Sequence, residues 1–499
     1  MATAVEMLER SAGNFPDRLA VETAGGGPSL TWGQLRERSR AGAAKLAGAG
    51  IGPGDRVVLF LGNELAFVLT FWSTVCAGAV AVPVSPRLTA AELRFIVQHS
   101  EASVVVTAAA TEPVAAEATA GLDVAVMGAT ELTEAKAAGS GFQPPNVAAD
   151  QVAEILYTSG TTGDPKGVVM THSACAETAA MAAYQFGFQA GERVLILMPL
   201  THSAPLNLFL LGATYTGSEV VLSTFNPRQP EALLELVQAE RGQYLFCAPV
   251  AYLLGLKANP STYDLRSMKR WIYGGAPMTP DQVKAVRLAY GGAWMSVYGL
   301  TESGPNGMAL APDEHDGHEG SLGWHPTVNA QIRLVDEAGE DVPAGEPGEI
   351  IMRTPSAMSG YLKNDEATRR TLKDGWVHTG DMAVRDQDGY YWMRDRKKDL
   401  ILSGGHNVFP GEVEEAIATH PAVADVAVIG TPHPEWGETV TAVVVLRPDK
   451  ALTLTELRQY LDTRLAAQKQ PRRLEAVAAL PRNATGKVLK HVLRAQFGS

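Results

Sequence analysis

Cysteine is scarce in this sequence, and its few copies lie far apart. The 499 residues include Cys76, Cys175 and Cys247, with no CxxC pair. We therefore expect neither a disulfide framework nor a cysteine zinc site, and a reducing, cytoplasmic setting. Residues 1–18 carry scattered charges and no apolar core, which argues against a secretory signal.

The sequence also lacks an excess of basic residues and an uninterrupted membrane segment. Its formal net charge is −12, whereas proteins that recognise nucleic acid usually carry a basic face. Residues 65–84 are uncharged for long enough to cross a bilayer. They divide, however, into a predicted buried helix through Cys76, a break at Gly78 and a short strand before Pro86. We expect neither a nucleic-acid partner nor a membrane span.

Short apolar runs alternate with helical segments from about residue 55 to residue 299. The runs "RVVLFL", "VLILM", "EVVL", "YLFCAP", "RWIYGG" and "MSVYG" predict strands of a parallel sheet covered by helices on both faces. Ligands of such sheets bind beyond the carboxyl ends of the strands. The length and the 46% of hydrophobic residues predict an α/β chain of two or more domains. The Ala-rich residues 107–138 are predicted to be surface helix and loop.

The pattern changes twice in the last third of the chain. The segments "AQIRLVD", "GEIIMRT" and "GYYWMRD" are joined by turn residues without long helices, which predicts an antiparallel sheet or small barrel. After "DRKKD", residues 395–399, a strand, the helix "GEVEEAIATH", the strands "DVAVIG" and "TAVVVLR" and a helix over residues 454–468 are predicted. We expect a compact α+β unit of about a hundred residues there.

The stretch "YTSGTTGDPKG", residues 157–167, joins two predicted strands and is rich in glycine and small hydroxyl side chains. Backbone N–H groups and hydroxyls of such a loop can converge on phosphate oxygens without obstruction, so the loop suits a polyphosphate. The alternative is a solvent-exposed hairpin turn. The stretch is not a Walker A loop, which ends in Gly-Lys-Ser/Thr before a helix. Here Lys166 follows Pro165 and precedes Gly167.

The order of residues in this loop resembles the phosphate loop of the adenylate-forming superfamily, which includes acyl-CoA and aryl-CoA synthetases, non-ribosomal adenylation domains and luciferases. Further motifs of that family follow over essentially the whole chain: "YGGAPM" from residue 273, "YGLTE" from 298, "HTGDMAVRDQDGYYWMRDRKKD" from 378, "SGGHNVFPGEVE" from 403 and "LPRNATGKVLK" from 480. The resemblance implies a large N-terminal domain of two doubly wound sheets plus a small antiparallel β-barrel, residues 1–396 with the barrel at about 320–396. It also implies a small mobile α+β C-terminal domain, residues 397–499, with a hinge near Lys398.

The chemistry of adenylation explains these residue types. A carboxylate must approach the α-phosphate of ATP, and two anions repel, so the site needs a metal, a cation and donors around the developing charge. Glu302 can hold Mg²⁺, which keeps waters and phosphates in its shell, and Thr301 can donate to phosphate oxygens. Asp381 can accept both ribose hydroxyls, and Arg396 offers donors to the same sugar.

The resemblance assigns family roles to residues of this chain. The catalytic set is Lys487, Glu302, Thr301 and His202, with Lys487 bridging the attacking carboxylate and the α-phosphate and Glu302 as the metal ligand. The nucleotide-binding set is Thr158, Ser159, Gly160, Thr161, Thr162, Gly163, Lys166, Gly274, Gly275, Ala276, Pro277, Ser296, Tyr298, Gly299, Asp381, Arg396 and Lys487. The CoA channel is expected at Ser403, Gly404, Gly405 and His406.

The implied acid pocket contains no charged residue. Its members are His202, Ala204, Asn207, Leu208, Cys247, Val250, Ala251, Gly274, Gly299, Thr301 and Gly304. This composition favours a carboxylic acid with an apolar body, aryl, cinnamate-like or fatty, over an amino acid. Amino-acid-activating relatives usually hold the amine with an aspartate soon after the equivalent of His202.

We therefore expect ATP- and Mg²⁺-dependent activation of an acid to its adenylate and transfer to coenzyme A, by a monomer or homodimer. The alternatives are another acceptor, such as a carrier-protein thiol or an amine, an unusual acid such as nitrite, or a catalytically inactive nucleotide binder. The joint presence of Lys166, Glu302, Asp381, Arg396 and Lys487 argues against the last of these. Relatives commonly have an aromatic residue at the position before K-x-P-R, where this chain has glutamine, so the thiol acceptor stays open.

Overall fold

The computed structural model describes residues 3–135, 142–158, 165–224, 226, 229–396, 399–403, 406–434, 436–482 and 488–498. The described strands are β1 Leu19–Thr23, β2 Ser29–Thr31, β3 Arg56–Phe60, β4 Val80–Pro83, β5 Ala102–Thr107, β6 Ala125–Gly128, β7 Val152–Thr158, β8 Lys166–Thr171, β9 Arg193–Ile196, β10 Glu219–Leu222, β11 Tyr244–Cys247, β12 Arg270–Gly274, β13 Trp294–Gly299, β14 Gly307–Leu310, β15 Gln331–Val335, β16 Pro347–Arg353, β17 Gly360–Tyr361, β18 Leu372–Lys373, β19 Trp376–Arg385, β20 Tyr391–Arg396, β21 Ile401–Ser403, β22 His406–Val408, β23 Val423–His433, β24 Gly437–Leu446 and β25 Arg473–Ala476.

Helices alternate with many of these strands. The described α-helices are α1 Ala4–Asn14, α2 Trp32–Gly48, α3 Leu65–Cys76, α4 Ala90–Ser100, α5 Glu112–Thr119, α6 Ala129–Thr133, α7 His172–Phe186, α8 Leu211–Thr216, α9 Ala232–Glu240, α10 Pro249–Gly255, α11 Pro280–Tyr290, α12 Asp365–Thr371, α13 Pro410–Ala418, α14 Leu454–Leu461 and α15 Lys490–Phe497. Several begin at a threonine N-cap: Thr279, for example, accepts the backbone N–H of Gln282 and is followed by Pro280 at the first helical position of α11.

The chain divides into two compact units. The first comprises Met1–Ile332 and Met352–His378, and the second comprises Arg333–Ile351 and Thr379–Ser499. The first unit holds a seven-stranded sheet with the order β17-β8-β7-β4-β3-β5-β6 and an eight-stranded sheet with the order β14-β13-β12-β11-β9-β10-β1-β2. The fold is therefore the α/β class with two doubly wound sheets that the sequence predicted. The predicted domain boundary at 396/397 stays a prediction.

The inner strands of both sheets are parallel, and the antiparallel pairs lie toward the edges. In the eight-stranded sheet β13, β12, β11, β9, β10 and β1 run parallel, while β14 and β2 are antiparallel to their neighbours. In the other sheet β7 and β8 form an antiparallel pair that encloses the predicted phosphate loop. The carboxyl ends of β9, β11, β12 and β13 thus meet along one edge.

One apolar core joins the two sheets of the first unit. It contains side chains of α3 and α7 together with residues of strands from each sheet, such as Leu59 of β3 and Ile196 of β9. The stretch from residue 65 is a buried helix that ends at Cys76, and Gly78 turns the chain with φ +71° into β4, as predicted. Among the described residues, no helix has the length and apolar character that crossing a membrane requires.

Two smaller sheets complete the described structure. One has the order β15-β16-β19-β18 with β20 beside β19, and its β18/β19 and β19/β20 pairs are antiparallel. The other has the order β22-β21-β24-β23 with β25 parallel to β24, and its apolar face packs on α13 and α14. These correspond to the predicted antiparallel sheet and α+β unit.

The structure corrects two local predictions. Residues 107–138 are not only helix and loop, because β6 lies there as the edge strand of the seven-stranded sheet. Its four residues are all apolar, and the first two are exposed. The helix predicted over residues 454–468 ends at Leu461, and a short 3₁₀ turn follows at Ala467–Lys469. The side chain of Gln470 bonds Asp462 and the carbonyl of Leu465, which stabilises the turn instead of further helix.

Candidate active site

Four neighbouring parallel strands of the eight-stranded sheet bring the predicted site residues to one edge. The carboxyl ends of adjacent parallel strands share that edge, so residues far apart in sequence become neighbours. His202 and Ala204 follow β9, and Val250 and Ala251 follow β11. Gly275, Ala276 and Pro277 follow β12, and Thr301 and Glu302 follow β13. The only charged side chain among these is the carboxylate of Glu302.

The loops after β9 and β13 touch each other. The hydroxyl oxygens of Ser203 and Thr301 lie 3.0 Å apart. His202 precedes this contact, and burial lowers the pKa of its imidazole, so the ring is neutral at pH 7. Directly after Ser203 the chain forms a π-helix, Ala204–Leu210, a geometry that occurs frequently at functional sites.

The carboxylate of Glu302 is held by a tyrosine. The hydroxyl of Tyr361 donates to Oε1 of Glu302 at 2.7 Å, and the Nζ atom of Lys166 lies 5.0 Å from the centroid of the same ring. Burial and the adjacent carboxylate raise the pKa of Tyr361, which keeps the phenol as a donor. Within the described ranges, Oε2 of Glu302 and the ammonium of Lys166 have no hydrogen-bond or ion-pair partner.

A buried polar network fixes the turn that carries Glu302. Gly304 adopts φ +66°, and a Cβ there would lie 2.3 Å from the carbonyl oxygen of Ser356. The hydroxyl of Ser303 donates to the carbonyl of Asn306 at 2.6 Å. The amide of Asn306 donates to Thr354 at 2.9 Å and to Ser356 at 3.0 Å. Because these groups are buried and paired, the turn is rigid.

The base of the predicted phosphate loop is a two-strand hairpin. Thr158 ends β7 and faces Lys166, the first residue of β8. A Cβ on Gly167 would lie 2.9 Å from a side-chain carbon of Ile155, so this position must be small. The predicted loop residues Ser159, Gly160, Thr161, Thr162 and Gly163 lie outside the described residues.

The predicted adenine-side residues follow β12 and lie along β13. Gly275, with φ +76°, and the next two residues form an exposed turn, where no atom lies within 4 Å of a Cβ added to the glycine. Gly274 and Gly299 are glycine for packing reasons: a Cβ would meet the carbonyl of Val297 at 2.4 Å and the backbone of Pro305 at 2.6 Å, respectively. Ser296 and Tyr298 belong to β13.

The residues predicted for the acid pocket differ in exposure. Val250 is 48% exposed and Ala204 is half-buried, whereas Asn207, Leu208, Cys247 and Ala251 are buried. The amide of Asn207 donates to Oε1 of Glu154 at 2.7 Å. Burial raises the pKa of Glu154 to about 7. A fully buried carboxyl of β7 therefore anchors the π-helix that follows the β9 loop.

The second unit contains the remaining predicted residues. Asp381 of β19 and Arg396 of β20 are direct Cα partners in the ladder, and Asp381 is buried. Ser403 is buried and pairs with His406 at the end of the hairpin β21–β22. Lys398, Gly404, Gly405 and Lys487, together with the side chains of Arg396 and His406, lie outside the described part of the structure.

The site residues fit a nucleotide with Mg²⁺. Glu302 offers one carboxylate oxygen that no described residue occupies, and Lys166 offers an ammonium that no described carboxylate pairs. No group of three His, Cys, Asp or Glu side chains among the described residues could form a protein cage for a metal. Mg²⁺ does not require such a cage, because phosphates and waters fill its shell. Sequence reasoning missed Tyr361, Ser203 and Glu154; none follows a periodic pattern, and only the tertiary contacts reveal them.

Comparison with known proteins agrees with the geometry. Residues 8–362 match the family model "AMP-binding enzyme", and residues 412–487 match "AMP-binding enzyme C-terminal domain". A feruloyl-CoA synthase of Amycolatopsis sp is 37% identical over 478 residues, 95% of each chain. The fatty acid–[acyl-carrier-protein] ligase ScoC of Streptomyces coeruleorubidus is 33% identical over 94% of this chain and 92% of its own.

A solved structure of the o-succinylbenzoate coenzyme A synthetase MenE of Bacillus subtilis, in complex with ATP and magnesium ion, superposes with a TM-score of 0.87 at 28% identity, covering 98% of this chain and 99% of that chain. The two family models together span most of the sequence, and the motifs that suggested the resemblance lie within them or next to them. The chain belongs to the AMP-binding enzyme family, within the adenylate-forming superfamily of acyl-CoA and aryl-CoA synthetases.

Proposed function

We propose that this protein is an AMP-forming acid–thiol ligase that activates a carboxylic acid with an uncharged, apolar body, aryl, cinnamate-like or fatty, and transfers the acyl group to coenzyme A. In the first step a carboxylate oxygen attacks the α-phosphorus of ATP, and pyrophosphate leaves. In the second step a thiolate attacks the acyl carbon of the mixed anhydride, and AMP leaves.

The observation that carries this proposal is the charge distribution at the sheet edge. Glu302 is the only charged side chain among the predicted site residues placed after β9, β11, β12 and β13, and a hydroxyl pair, Ser203 and Thr301, lies beside it. Apart from Glu302, which is proposed for Mg²⁺, these residues offer no charged partner to an acid whose body carries a charge, and a buried charge without a partner is costly. The first unit thus suits a neutral acyl group.

The remaining roles are proposals from family position. Lys166 and the loop 159–163 hold phosphates, Glu302 holds Mg²⁺, and Asp381 with Arg396 holds the ribose. When bound, Mg²⁺ supplies neutralisation of the charge on the phosphate oxygens. His202 gates the acyl pocket; it is neutral, so it adds no charge to that pocket. Lys487 bridges the carboxylate and the α-phosphate in the first step, and a pivot near Lys398 brings residues 403–406 to the CoA channel in the second.

The test is product identification with a panel of acids and acceptors. Purified protein with MgATP and CoA should convert one class of aryl, cinnamate-like or fatty acid to its acyl-CoA with equimolar AMP, identified by mass spectrometry. Lys166→Met should lower the rate at least tenfold if one phosphate contact of about 1.5 kcal/mol is lost. Exposed Lys257→Met is the matched control and should keep the rate. AMP release that requires a carrier protein instead of CoA would contradict the proposed acceptor.

The cytoplasm is the compartment we propose. All three cysteines are buried free thiols, as expected where the environment keeps thiols reduced.

A further inference from the structure

Tyr361 contacts two groups that the proposed function uses, and neither the motifs nor the family positions brought it forward. Its hydroxyl bonds the carboxylate of Glu302, and its ring faces the ammonium of Lys166. Glu302 lies in the turn after β13 of one sheet, and Lys166 begins β8 of the other. One tyrosine therefore contacts a residue of one sheet and a residue of the turn that follows the other sheet's β13.

The backbone around Tyr361 is fixed from three directions. Tyr361 pairs with Val168 in the antiparallel β8/β17 ladder, which puts Lys166, two residues earlier, on the same face. The backbone N–H of Tyr361 donates to the hydroxyl of Thr368 at 2.8 Å, and the next residue donates to the carbonyl of Gly167 at 2.8 Å. These contacts hold the backbone that carries the ring, and Tyr361 is 8% exposed.

The arrangement separates two opposite charges that would otherwise attract each other. A phenol hydroxyl occupies Oε1 of Glu302 without neutralising the carboxylate, and an aromatic face attracts the ammonium of Lys166 without neutralising it. Oε2 of Glu302 and the Lys166 ammonium are thereby left without other partners among the described residues. Direct pairing of the carboxylate with the ammonium would use up both charges.

We propose that Tyr361 is a positioning residue that orients Glu302 toward Mg²⁺ and keeps Lys166 available for ATP phosphates, an inference that rests on the proposed function. Tyr361 touches neither the acid nor the transferred group in this account. It acts through the two charged side chains that it contacts, and its effect is on the binding of MgATP.

The experiment measures ATP binding by calorimetry without any acid, so that no turnover is needed. Tyr361→Phe removes the hydroxyl and keeps the ring, whereas Tyr361→Leu removes both. Removal of a residue that orients a metal ligand typically lowers metal affinity about 10- to 100-fold. In Tyr361→Phe we expect the Mg²⁺ concentration that gives half of the maximal increase in ATP affinity to rise about tenfold or more. The affinity for ATP measured in EDTA should stay within about twofold of wild type. Tyr361→Leu should also weaken ATP binding in EDTA.

Two controls make the result specific. Tyr290→Phe removes another buried tyrosine hydroxyl, which donates to the carbonyl of Tyr252 at 2.7 Å, and should change neither value. In a Glu302→Gln background, Tyr361→Phe should change the Mg²⁺ requirement by less than about twofold, because the residue through which it acts is gone.

The inference is overturned if Mg²⁺ does not strengthen ATP binding in the wild type, if Tyr361→Phe leaves the Mg²⁺ requirement unchanged, or if its effect is as large in the Glu302→Gln background. Failure of the proposed function looks different, because MgATP would then bind with the expected dependence on Tyr361 while no acid is activated.

Discussion

The buried carboxyl of Glu154 should make the protein less stable as the pH rises. Its side chain is fully buried in β7, contacts the amide of Asn207 at 2.7 Å and lies beside the thiol of Cys175. Burial raises its pKa from 4.5 to about 7. Between pH 4.5 and about pH 7 the folded state binds more protons at this carboxyl than the unfolded state does. The free energy of unfolding therefore falls as the pH rises through this range, and the loss is complete above pH 7.

The magnitude follows from the size of the shift. A difference of about 2.5 pKa units, 7 minus 4.5, at 1.36 kcal/mol each corresponds to about 3 kcal/mol. Glu154→Gln has no charge at any pH and keeps an oxygen that can accept from Asn207. We expect wild type and Glu154→Gln to be equally stable near pH 4.5, and the variant to be more stable by up to about 3 kcal/mol at pH 8. The first unit, Met1–Ile332 with Met352–His378, has an unfolding entropy of roughly 0.75 kcal/mol/K at about 2.1 cal/mol/K per residue. A gain of about 3 kcal/mol therefore corresponds to a rise in Tm of about 4 °C.

Scanning calorimetry at pH 5 and pH 8 provides the assay. The exposed Glu117→Gln is the matched control and should leave Tm unchanged at both pH values. Glu154→Leu should lower Tm at both, since it leaves the buried Asn207 amide without its acceptor, at a cost of about 1–3 kcal/mol. A Tm difference between Glu154→Gln and wild type that is the same at pH 5 and pH 8, or a variant less stable at pH 8, would show that Glu154 does not ionise unfavourably in the folded protein.

Other outcomes follow from the same structure. Gly304→Ala places a Cβ 2.3 Å from a carbonyl oxygen at φ +66°; we expect it to lower the free energy of unfolding by about 2–5 kcal/mol, and an unchanged Tm would show that the turn relaxes freely. Lys487→Ala should lower the rate of adenylate formation far more than the rate of thioesterification of supplied acyl-AMP. Equal loss of both rates would contradict the proposed role of Lys487. The three buried cysteines should react with Ellman's reagent slowly in the native protein and fully after denaturation; rapid release of more than one equivalent from native protein would contradict their burial.

The sequence predicted the inner strands well because they are buried on both faces. Residues 57–60 of β3 and all of β11 are apolar and buried, so each appears as a continuous apolar run between helices. Two edge strands were missed because they are short. β2 has three residues with one of them buried, and β6 has four residues within an Ala-rich segment, so neither stands out as a strand.

The placement of candidate site residues was predictable where it follows strand order. Thr301 and Glu302 lie in the turn after β13, and the hairpin that carries Lys166 was expected from its two flanking strands. The contact of Tyr361 with Glu302 and Lys166 was not predictable, because it depends on the register of a two-residue strand against β8. The Glu154–Asn207 bond likewise joins β7 to a π-helix that no sequence pattern announces.

The most direct test of the proposed activity is acid-dependent exchange of pyrophosphate with ATP in the absence of CoA, over a panel of fatty acids, benzoates, cinnamates and amino acids. We expect exchange with one class of apolar-bodied acid, dependent on Mg²⁺ and lost in Glu302→Gln. Exchange with amino acids alone, or no exchange with any acid while MgATP still binds, would contradict it.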